Sequence, residues 1–472
     1  MEMSEEIKLP KTKYNMGFLW LICVVAAMGG LLFGYDWIVI AGAKAFYEPG
    51  FNITDETPLM RGWAMSSALF GCIVGAITCG MLADRFGRKR LLILSGLLFT
   101  VSAIGTALSR DFFMFNFARI IGGVGIGLST VSPMYISEVS PASMRGRLVS
   151  INQLTIVIGI LAAQIVNMQI AQPVPEGATA AFITESWNGQ TGWRLMFGAE
   201  TIPAFLFFLL MFFIPESPRW LVKFGRNDEA ENILSRIGGS KYGKAEVADI
   251  QQTIAIEEIA HVRFKDLLEP KLFKLLCLGI FLAFFQQWCG INVIFNYAQE
   301  VFQHAGYGVS KMLNFAVISG LVNLLGTFVA IYTVDRIGRK KLMLLGAGCL
   351  TCCYALVGTG YYMESTGIHM VILIVLAIGC YAMTLAPITW VLISELFPNR
   401  IRGAAMSIAV LAIWSACTIL TLTFPYVLKA LGAHGAFWTF CGVCIVGFIV
   451  ILKKLPETKG KTLEDIEREL VD

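Results

Sequence analysis

Charged side chains within long apolar segments are the residues of this chain whose chemistry stands out. Asp36 lies in the first apolar segment, Arg119 in the fourth and Glu200 in the sixth. An ionised group at the centre of a bilayer costs about 2.5–3.5 kcal/mol on insertion scales, so these residues are functional candidates. An Asp beside a fixed Arg is ionised, and separating the two favours a protonated carboxyl. We predict that Asp36 and Arg119 couple proton uptake to conformation; the alternative is a permanent structural salt bridge.

Amide and aromatic side chains form a second set within the apolar segments. Amides both donate and accept hydrogen bonds, and aromatic rings cover apolar C–H faces, so the two together suit a polyhydroxylated ligand. In a regular helix, Asn292 and Asn296 share one face, Gln286 lies within about a quarter turn of Asn296, and Gln287 points further round. The alternative is that these amides join neighbouring helices and that the tryptophans face lipid.

Three polar motifs occur twice, in the same order, between the apolar segments. The pairs are Asp84-Arg-Phe-Gly-Arg88 with Asp335-Arg-Ile-Gly-Arg339, Glu138 and Arg145 with Glu395 and Arg402, and Glu216-Ser217 with Glu457-Thr458. Matched motifs in one order indicate an internal repeat. Parallel repeats with a binding site at the bilayer midplane between them are typical of carriers that alternate access between two sides.

Acids accompany bases in these motifs at matched places in both repeats. We predict that ion pairs between the halves hold an inner gate closed and separate when it opens. The alternative is that the bases only orient the chain, in solvated pairs worth less than about 1 kcal/mol each. The predicted gating residues are Asp84, Arg88, Glu138, Arg145, Glu216, Arg219, Asp335, Arg339, Glu395, Arg402 and Glu457.

The composition requires a membrane as the solvent. Of the 472 residues, 56% are hydrophobic and only 15% are charged, which is too apolar for a soluble domain of this size. One helical crossing needs about 20 apolar residues. Such runs predict twelve helices, near residues 17–45, 62–83, 91–109, 112–137, 147–171, 193–214, 272–303, 310–333, 341–363, 367–394, 402–430 and 435–453. The predicted fold is therefore an all-α membrane protein built from two six-helix repeats.

Lys and Arg cluster in alternate loops, as expected for loops on the cytoplasmic side. They follow the second, fourth, eighth and tenth predicted helices. We predict a multi-pass protein of the plasma (inner) membrane with both termini cytoplasmic and the loops near 46–61 and 172–192 outside. The predicted organisation is a cytoplasmic N-terminus at 1–16, a bundle at 17–215, a cytoplasmic helical linker at 216–270, a bundle at 271–454 and a cytoplasmic tail at 455–472.

Other classes of function find little support in the residues. The net charge of +4 comes with short basic clusters that orient a membrane protein, and we expect no nucleic-acid partner. The twelve cysteines lie almost entirely in apolar runs and behave as small hydrophobes. No metalloprotease or hydrolase motif occurs, so we expect no enzyme, no metal and no cofactor. Gly123-Val-Gly-Ile-Gly127 follows no soluble strand, and it predicts close helix packing instead of a dinucleotide loop.

The repeated motifs, with Pro215-Glu-Ser-Pro-Arg-Trp-Leu221 and Gln286-Gln287 through Asn292, resemble those of the sugar porter family of the major facilitator superfamily over residues 17–466. The chain looks most like bacterial symporters that couple xylose, arabinose or glucose to protons. The resemblance implies the major facilitator fold, a monosaccharide and a proton as substrates, and a coupling role for Glu200 beside Asp36. The implied sugar contacts are Phe33, Gln153, Gln286, Gln287, Asn292, Asn296, Trp390 and Trp414.

Four positions depart from the family pattern. Ile160 and Ile413 replace polar residues, Asn296 replaces an aromatic residue, and Trp37 replaces a small one. An unpaired sugar hydroxyl is penalised by about 1–3 kcal/mol, so these changes bear on which sugar is accepted. Gln164 lies one turn beyond Ile160 and is a candidate substitute for the missing amide. The identity of the sugar stays open.

Three other functions remain compatible with the fold. The first is a sugar facilitator without proton coupling, which the pair of Asp36 and Arg119 argues against. The second is a sensor that binds sugar without transporting it, and the third is a multidrug exporter, since fold alone does not set the substrate. We expect the protein to act as a monomer in the lipid bilayer.

Overall fold

The computed structural model describes residues 13–259, 269–397 and 402–459, without the side chains at 256–259, 271, 335, 394, 402 and 403. The predicted terminal segments before residue 13 and after residue 459 therefore lie outside the described residues. So do the end of the predicted linker and the predicted gating side chains Asp335 and Arg402. The described part of the chain is helical and contains no β-strand.

The first half of the chain forms six apolar spans. Asn15 and Asp111 cap the first and fourth spans by accepting backbone N–H bonds from Phe18 and Met114, at 3.2 and 2.8 Å. The helices are α1 (Met16–Gly50), α2 (Pro58–Phe86), α3 (Arg88–Ala107), α4 (Phe112–Ser129), α5 (Val131–Val139), α6 (Arg145–Ile170), α7 (Ala180–Glu185), α8 (Trp193–Gly198) and α9 (Thr201–Leu210), with a π-helical turn at Asn188–Gly192.

Three linker helices follow and pack on the first half: α10 (Pro218–Lys223), α11 (Asn227–Gly238) and α12 (Ser240–Ile259). Leu234 and Ile237 of α11 are buried in a cluster that contains Leu19 of α1. Trp220 of α10 donates its indole N–H to the Asp84 carbonyl at 3.0 Å. We call this end of the molecule, which carries the repeated motifs, the motif end.

The second half repeats the pattern with α13 (Pro270–Trp288), α14 (Ile291–Asn296), α15 (Ala298–His304), α16 (Val309–Ile337), α17 (Arg339–Tyr362), α18 (Ile368–Met383), α19 (Leu385–Leu396) and α20 (Arg402–Lys454). Gly432 interrupts α20 with φ 66° and ψ 177°. This long element is therefore two spans, and the predicted arrangement of six plus six helices is confirmed.

Close helix contacts explain the predicted glycine motif of α4. A Cβ atom at Gly123 would lie 1.9 Å from the Ala68 carbonyl oxygen of α2, and one at Gly127 would lie 2.6 Å from the Ala76 nitrogen. Only a residue without a side chain fits there, so the prediction of close packing is confirmed. Between the halves, α2 packs on α20 and α6 packs on α16. The site described next lies along this division between the halves.

Candidate functional site

Asp36 of α1 and Arg119 of α4 form a buried ion pair. Each is 2% exposed, and Arg119 donates one N–H to the Asp36 carboxylate and another to the Asp36 backbone carbonyl at 3.0 Å. The Arg119 guanidinium also lies 5.5 Å from the centre of the Phe197 ring. Both hydrogen bonds go to Asp36, so the guanidinium keeps the backbone contact if the carboxylate is released.

Glu200 is a second buried acid beside this pair. It lies between α8 and α9, is 1% exposed, and interacts electrostatically with Asp36 and Arg119. One oxygen of Asp36 and one of Glu200 have no hydrogen-bond partner. Two carboxyl groups therefore lie near one guanidinium in an apolar environment, and Arg119 hydrogen-bonds to Asp36. Binding one proton neutralises the excess negative charge, and the arrangement can thus hold and release a proton.

Three amide side chains of the seventh span form one network. Asn292 donates to the Gln287 carbonyl oxygen, Gln287 donates to that of Gln286 at 3.3 Å, and Gln286 donates to the Ala386 backbone carbonyl at 3.3 Å. Ala386 lies just after the break between α18 and α19 at Thr384. The network joins the seventh and tenth spans and offers donors and acceptors to a polar ligand.

The structure corrects the expected position of Gln287 relative to Asn292 in the seventh span. We expected Asn292 and Asn296 on one face, with Gln287 pointing further round. Instead, Gly290 adopts φ 92° between α13 and α14, and this break changes the angular relation of residues on either side. Gln287 consequently contacts Asn292. Asn292 and Asn296 both lie on α14, so the break does not affect their expected shared face, and Asn296 is buried at the end of that helix.

An aromatic cluster joins the halves beside the ion pair. Trp414 of α20 lies 5.7 Å from Phe33 and 6.0 Å from Trp37 of α1, between ring centres. The indole N–H of Trp414 has no partner. Trp390 is 39% exposed on α19, and Gln153 is half-buried on α6. The structure thus brings Phe33 and Trp414 together, with Trp37 as a third member that we had treated only as a departure from the family pattern.

At the motif end of the first half, acidic and basic motif residues form one cluster. Arg88 donates to the Glu138 carboxylate at 3.0 Å and to Asp84 at 3.3 Å, and its backbone N–H donates to Glu216 at 3.0 Å. Ser217 donates its hydroxyl to Glu138. Burial raises the pKa of the Glu216 carboxyl above its ordinary value, against the opposing effect of backbone N–H donors and Arg88.

The second half repeats the contacts to Glu138 and Glu216 with its own matched residues. Arg339 donates to the Glu395 carboxylate at 3.1 Å, and its backbone N–H donates to Glu457 at 2.9 Å. Thr458 donates its hydroxyl to Glu395 at 2.6 Å, as Ser217 does to Glu138. The sequence repeat is therefore also a repeat of hydrogen-bonded geometry.

These clusters join elements of the same half. The predicted pairing between the halves is not found among the described residues, since Arg88 pairs within the first half and Arg339 within the second. Arg145 donates to the Ser137 backbone carbonyl at 3.1 Å, and Arg219 lies half-buried on α10. In this conformation, each cluster fastens the helices of its own half.

Ion pairs between the halves lie at the opposite end, which we define by the loops at residues 51–57 and 171–179. Lys44 of α1 is fully buried, pairs with Glu300 of α15 and lies 3.8 Å from Glu48. Its ammonium group is 4.3 Å from the centre of the Tyr297 ring, and Arg61 pairs with Glu48 at 3.1 Å. Further contacts between the halves are Val174 with Ser310 at 3.0 Å, Glu176 with Lys311 at 3.1 Å and Glu56 with Lys429 at 3.0 Å.

Sequence reasoning missed Lys44 and Glu300, although the signal was present. Both are charged residues within predicted spans, and the rule that selected Asp36 applies equally to them. A metal site would need a group of ligating side chains. Within the described residues, no group of three or more His, Cys, Asp or Glu side chains could hold a metal ion.

Comparison with known proteins identifies the family. The family model described as "Sugar (and other) transporter" matches residues 22–470. This chain belongs to that family. It is 38% identical to the arabinose-proton symporter of Bacillus subtilis (strain 168) over 98% of this chain and 97% of the relative. It is 37% identical to the D-xylose-proton symporter of Escherichia coli (strain K12) over 97% and 96%.

Solved structures agree with this family assignment. The inward open conformation of the xylose transporter XylE from E. coli matches with a TM-score of 0.83 and 36% identity, over 96% of this chain and all of that chain. XylE bound to 6-bromo-6-deoxy-D-glucose matches with a TM-score of 0.78. The chain is thus a multi-pass membrane protein with the fold of a sugar transporter.

Proposed function

We propose that this chain is a proton-coupled monosaccharide symporter that works by alternating access. The observation that carries the proposal is the pair of buried acids near Arg119, together with the amide network of the seventh span and an aromatic cluster that bridges the halves. A pentose or hexose would bind to the amides through its hydroxyls and to the rings through its C–H faces. The relatives named as sugar-proton symporters support this assignment.

Proton binding would change the conformation through charge. When Asp36 or Glu200 takes up a proton, the excess negative charge around Arg119 disappears and the halves can rearrange without a buried unpaired ion. A potential of about 150 mV acting on one charge supplies about 3.4 kcal/mol, or roughly 300-fold accumulation. The proton is the coupling ion, and the proposed mechanism needs no further cofactor.

We place the motif end in the cytoplasm and the opposite end outside the plasma (inner) membrane. The basic loops at the motif end support this orientation through the positive-inside rule. The contacts between the halves at the opposite end then close the outer side, which suits an inward-facing conformation. Both termini lie on the cytoplasmic side, and a single chain contains the complete site.

The deciding experiment compares Asp36→Asn with the parent in vesicles under an imposed pH gradient. We expect the variant to lose sugar accumulation against a gradient but to retain exchange of sugar across the membrane, because the amide cannot take up the proton. Asp111→Asn is the matched control, since an asparagine at this exposed helix cap still accepts the Met114 N–H.

The possible results separate the candidate functions. Accumulation by Asp36→Asn that equals the parent's would contradict coupling through this residue. A parent that equilibrates sugar without accumulating it would be a facilitator, and one that binds sugar without moving it would be a sensor. Competition by xylose, arabinose, glucose, galactose and inositol, with and without a protonophore, would identify the substrate.

A further inference from the structure

A cavity separate from the amide network lies between the halves, towards the opposite end. Its walls come from α1 and α6 on one side and from α14, α15, α16 and α18 on the other. Two of its lining residues are close in sequence to the ion pair of Lys44 and Glu300. Ala45 directly follows Lys44, and Phe302 lies two residues after Glu300. Most of the lining is apolar, and the polar side chains among it are Gln164, Asn167, Gln299 and Ser319.

Each of these four polar side chains has an oxygen atom without a hydrogen-bond partner. Gln164 is 5% exposed, Asn167 is 1% exposed and Ser319 is 3% exposed. The Asn167 amide N–H donates to the Val39 carbonyl at 3.0 Å, which leaves its oxygen free to accept. Buried polar atoms are normally paired, so four cavity-lining side chains that each carry an unpaired oxygen indicate an occupant that donates hydrogen bonds.

The size of the cavity restricts its occupant in this conformation. About 40 Å³ is open to the centres of water molecules, which is room for roughly three waters and too little for a sugar. The two walls belong to different halves, however, and α1 approaches α15 through the buried Lys44 and Glu300 pair. Separation of the halves at the opposite end would therefore widen this cavity.

We propose that Gln164, Asn167, Gln299 and Ser319 form an access subsite, which binds a monosaccharide in the conformation open at the opposite end, before it reaches the amide network. The proposal rests on the proposed sugar transport. Sugar hydroxyls supply the hydrogen-bond donors that the four oxygens lack, and water molecules take the place of the sugar when the halves close. Gln164 thus acts on the path to the sugar site and does not substitute for the missing amide at Ile160 within it.

The test measures half-saturating sugar concentrations from each side of the membrane. Gln164→Met keeps the side-chain length and Ser319→Ala removes only a hydroxyl, so both remove polar atoms with little change in packing. Uptake into right-side-out vesicles and into inside-out vesicles would be compared for each variant. Ser66→Ala is the matched control, because Ser66 is also buried and unpaired but does not line the cavity.

We expect entry from the opposite end to need about three- to tenfold more sugar in Gln164→Met, the range given by one lost hydrogen bond. Entry from the motif end should change less than about twofold in the same variants. An equal change from both sides would assign the residues to the central site, and no change in either variant would leave the cavity to water; both results overturn the subsite. A parent that moves no sugar at all would instead contradict the proposed function.

Discussion

Within the candidate site, buried polar atoms without a protein partner distinguish the residues that a ligand can satisfy from those whose hydrogen bonds hold the fold. Asp36 and Glu200 each retain an unpaired carboxyl oxygen, and Trp414 retains an unpaired indole N–H. In contrast, Trp288 donates its indole N–H to the Ala416 carbonyl at 3.0 Å. An unmade hydrogen bond costs about 1–3 kcal/mol in the free protein, a cost that a bound substrate can remove. The two tryptophans therefore make a matched pair for experiment.

Trp414→Phe should weaken sugar binding by about five- to tenfold, because the substitution removes one N–H donor worth about 1 kcal/mol. Its unfolding temperature should change little, since that N–H has no protein partner. Trp288→Phe should show the reverse, with about 0.5–1.5 kcal/mol of lost stability from the missing hydrogen bond to the Ala416 carbonyl, which keeps its bond within α20. Calorimetric titration with sugar and thermal unfolding measure the two effects. Equal loss of sugar affinity in both variants would contradict the distinction.

At the scale of elements, the closeness of packing and the type of contact decide which helices can move relative to each other. Helices within a half approach so closely that only glycine fits, as at Gly123. Helices of different halves meet at the opposite end through ion pairs that can separate, such as Lys44 with Glu300. A similarly close contact joins the halves, since a Cβ atom at Gly62 of α2 would clash with the Leu422 carbonyl oxygen of α20. Rigid-body motion of the halves therefore has to separate this contact as well as the ion pairs.

Gly123→Ala should prevent stable packing of α4 on α2, because its Cβ would lie 1.9 Å from the Ala68 carbonyl oxygen. We expect a much lower yield of monodisperse protein and a lower unfolding temperature, as overpacking typically costs about 1–3 kcal/mol or more. Gly80→Ala is the control on α2, since its Cβ would meet nothing within 4 Å. Size-exclusion chromatography in detergent and thermal unfolding are the measurements. Similar behaviour of the two variants would refute the packing argument.

Lys44→Met should favour conformations that are open at the opposite end. Removing one partner of a buried ion pair costs about 3–5 kcal/mol, and here the cost falls on the closed conformation. Spin labels at positions 56 and 429, whose native side chains lie 3.0 Å apart across the halves, would report a longer distance. Lys311→Ala is the control, because its pair with Glu176 is exposed and worth about 0–1 kcal/mol.

A double variant sharpens this test. Lys44→Met with Glu300→Met replaces the whole pair by apolar side chains, which is often neutral or stabilising. The distance between the labels should then return towards that of the parent. A single variant whose label distances match the parent's would show that the pair does not hold the opposite end closed.

At the scale of the whole molecule, the halves are two similar bodies with different contacts at their two ends. The clusters around Arg88 and Arg339 fasten each body internally at the motif end. The contacts described between the bodies lie at the opposite end and around Trp414. This asymmetry corresponds to one state of an alternating cycle, in which closing one end opens the other.

Joining the halves at the opposite end should therefore stop transport. The Val174 backbone N–H donates to the Ser310 hydroxyl at 3.0 Å, so the two residues are neighbours across the halves, and Val174→Cys with Ser310→Cys is the pair chosen for trapping by a disulfide. We expect oxidation to abolish sugar uptake and reduction to restore it, while Ser310→Cys alone responds to neither treatment. Uptake that persists after complete disulfide formation would exclude an opening motion at this end.

The sequence by itself determined the membrane as solvent, the division into six plus six helices and the family. Hydrophobic runs and repeated motifs are local properties, and each can be read without knowing which helices touch. The ion pair of Asp36 with Arg119 was also predictable, because an unpaired charge in hydrocarbon is so costly that a partner must exist. The charges at Lys44 and Glu300 obey the same rule and were overlooked only because no motif accompanies them.

Tertiary structure alone decided which polar groups share a site. The break at Gly290 brought Gln287 onto Asn292, which no helical spacing predicts, because a single positive φ rotates everything after it. The pairing of Arg88 with Glu138 and of Arg339 with Glu395 joins helices that are distant in sequence within each half. The cavity lined by Gln164 exists only where two halves meet. Contacts between distant segments follow from packing and conformation, and a linear pattern does not encode them locally.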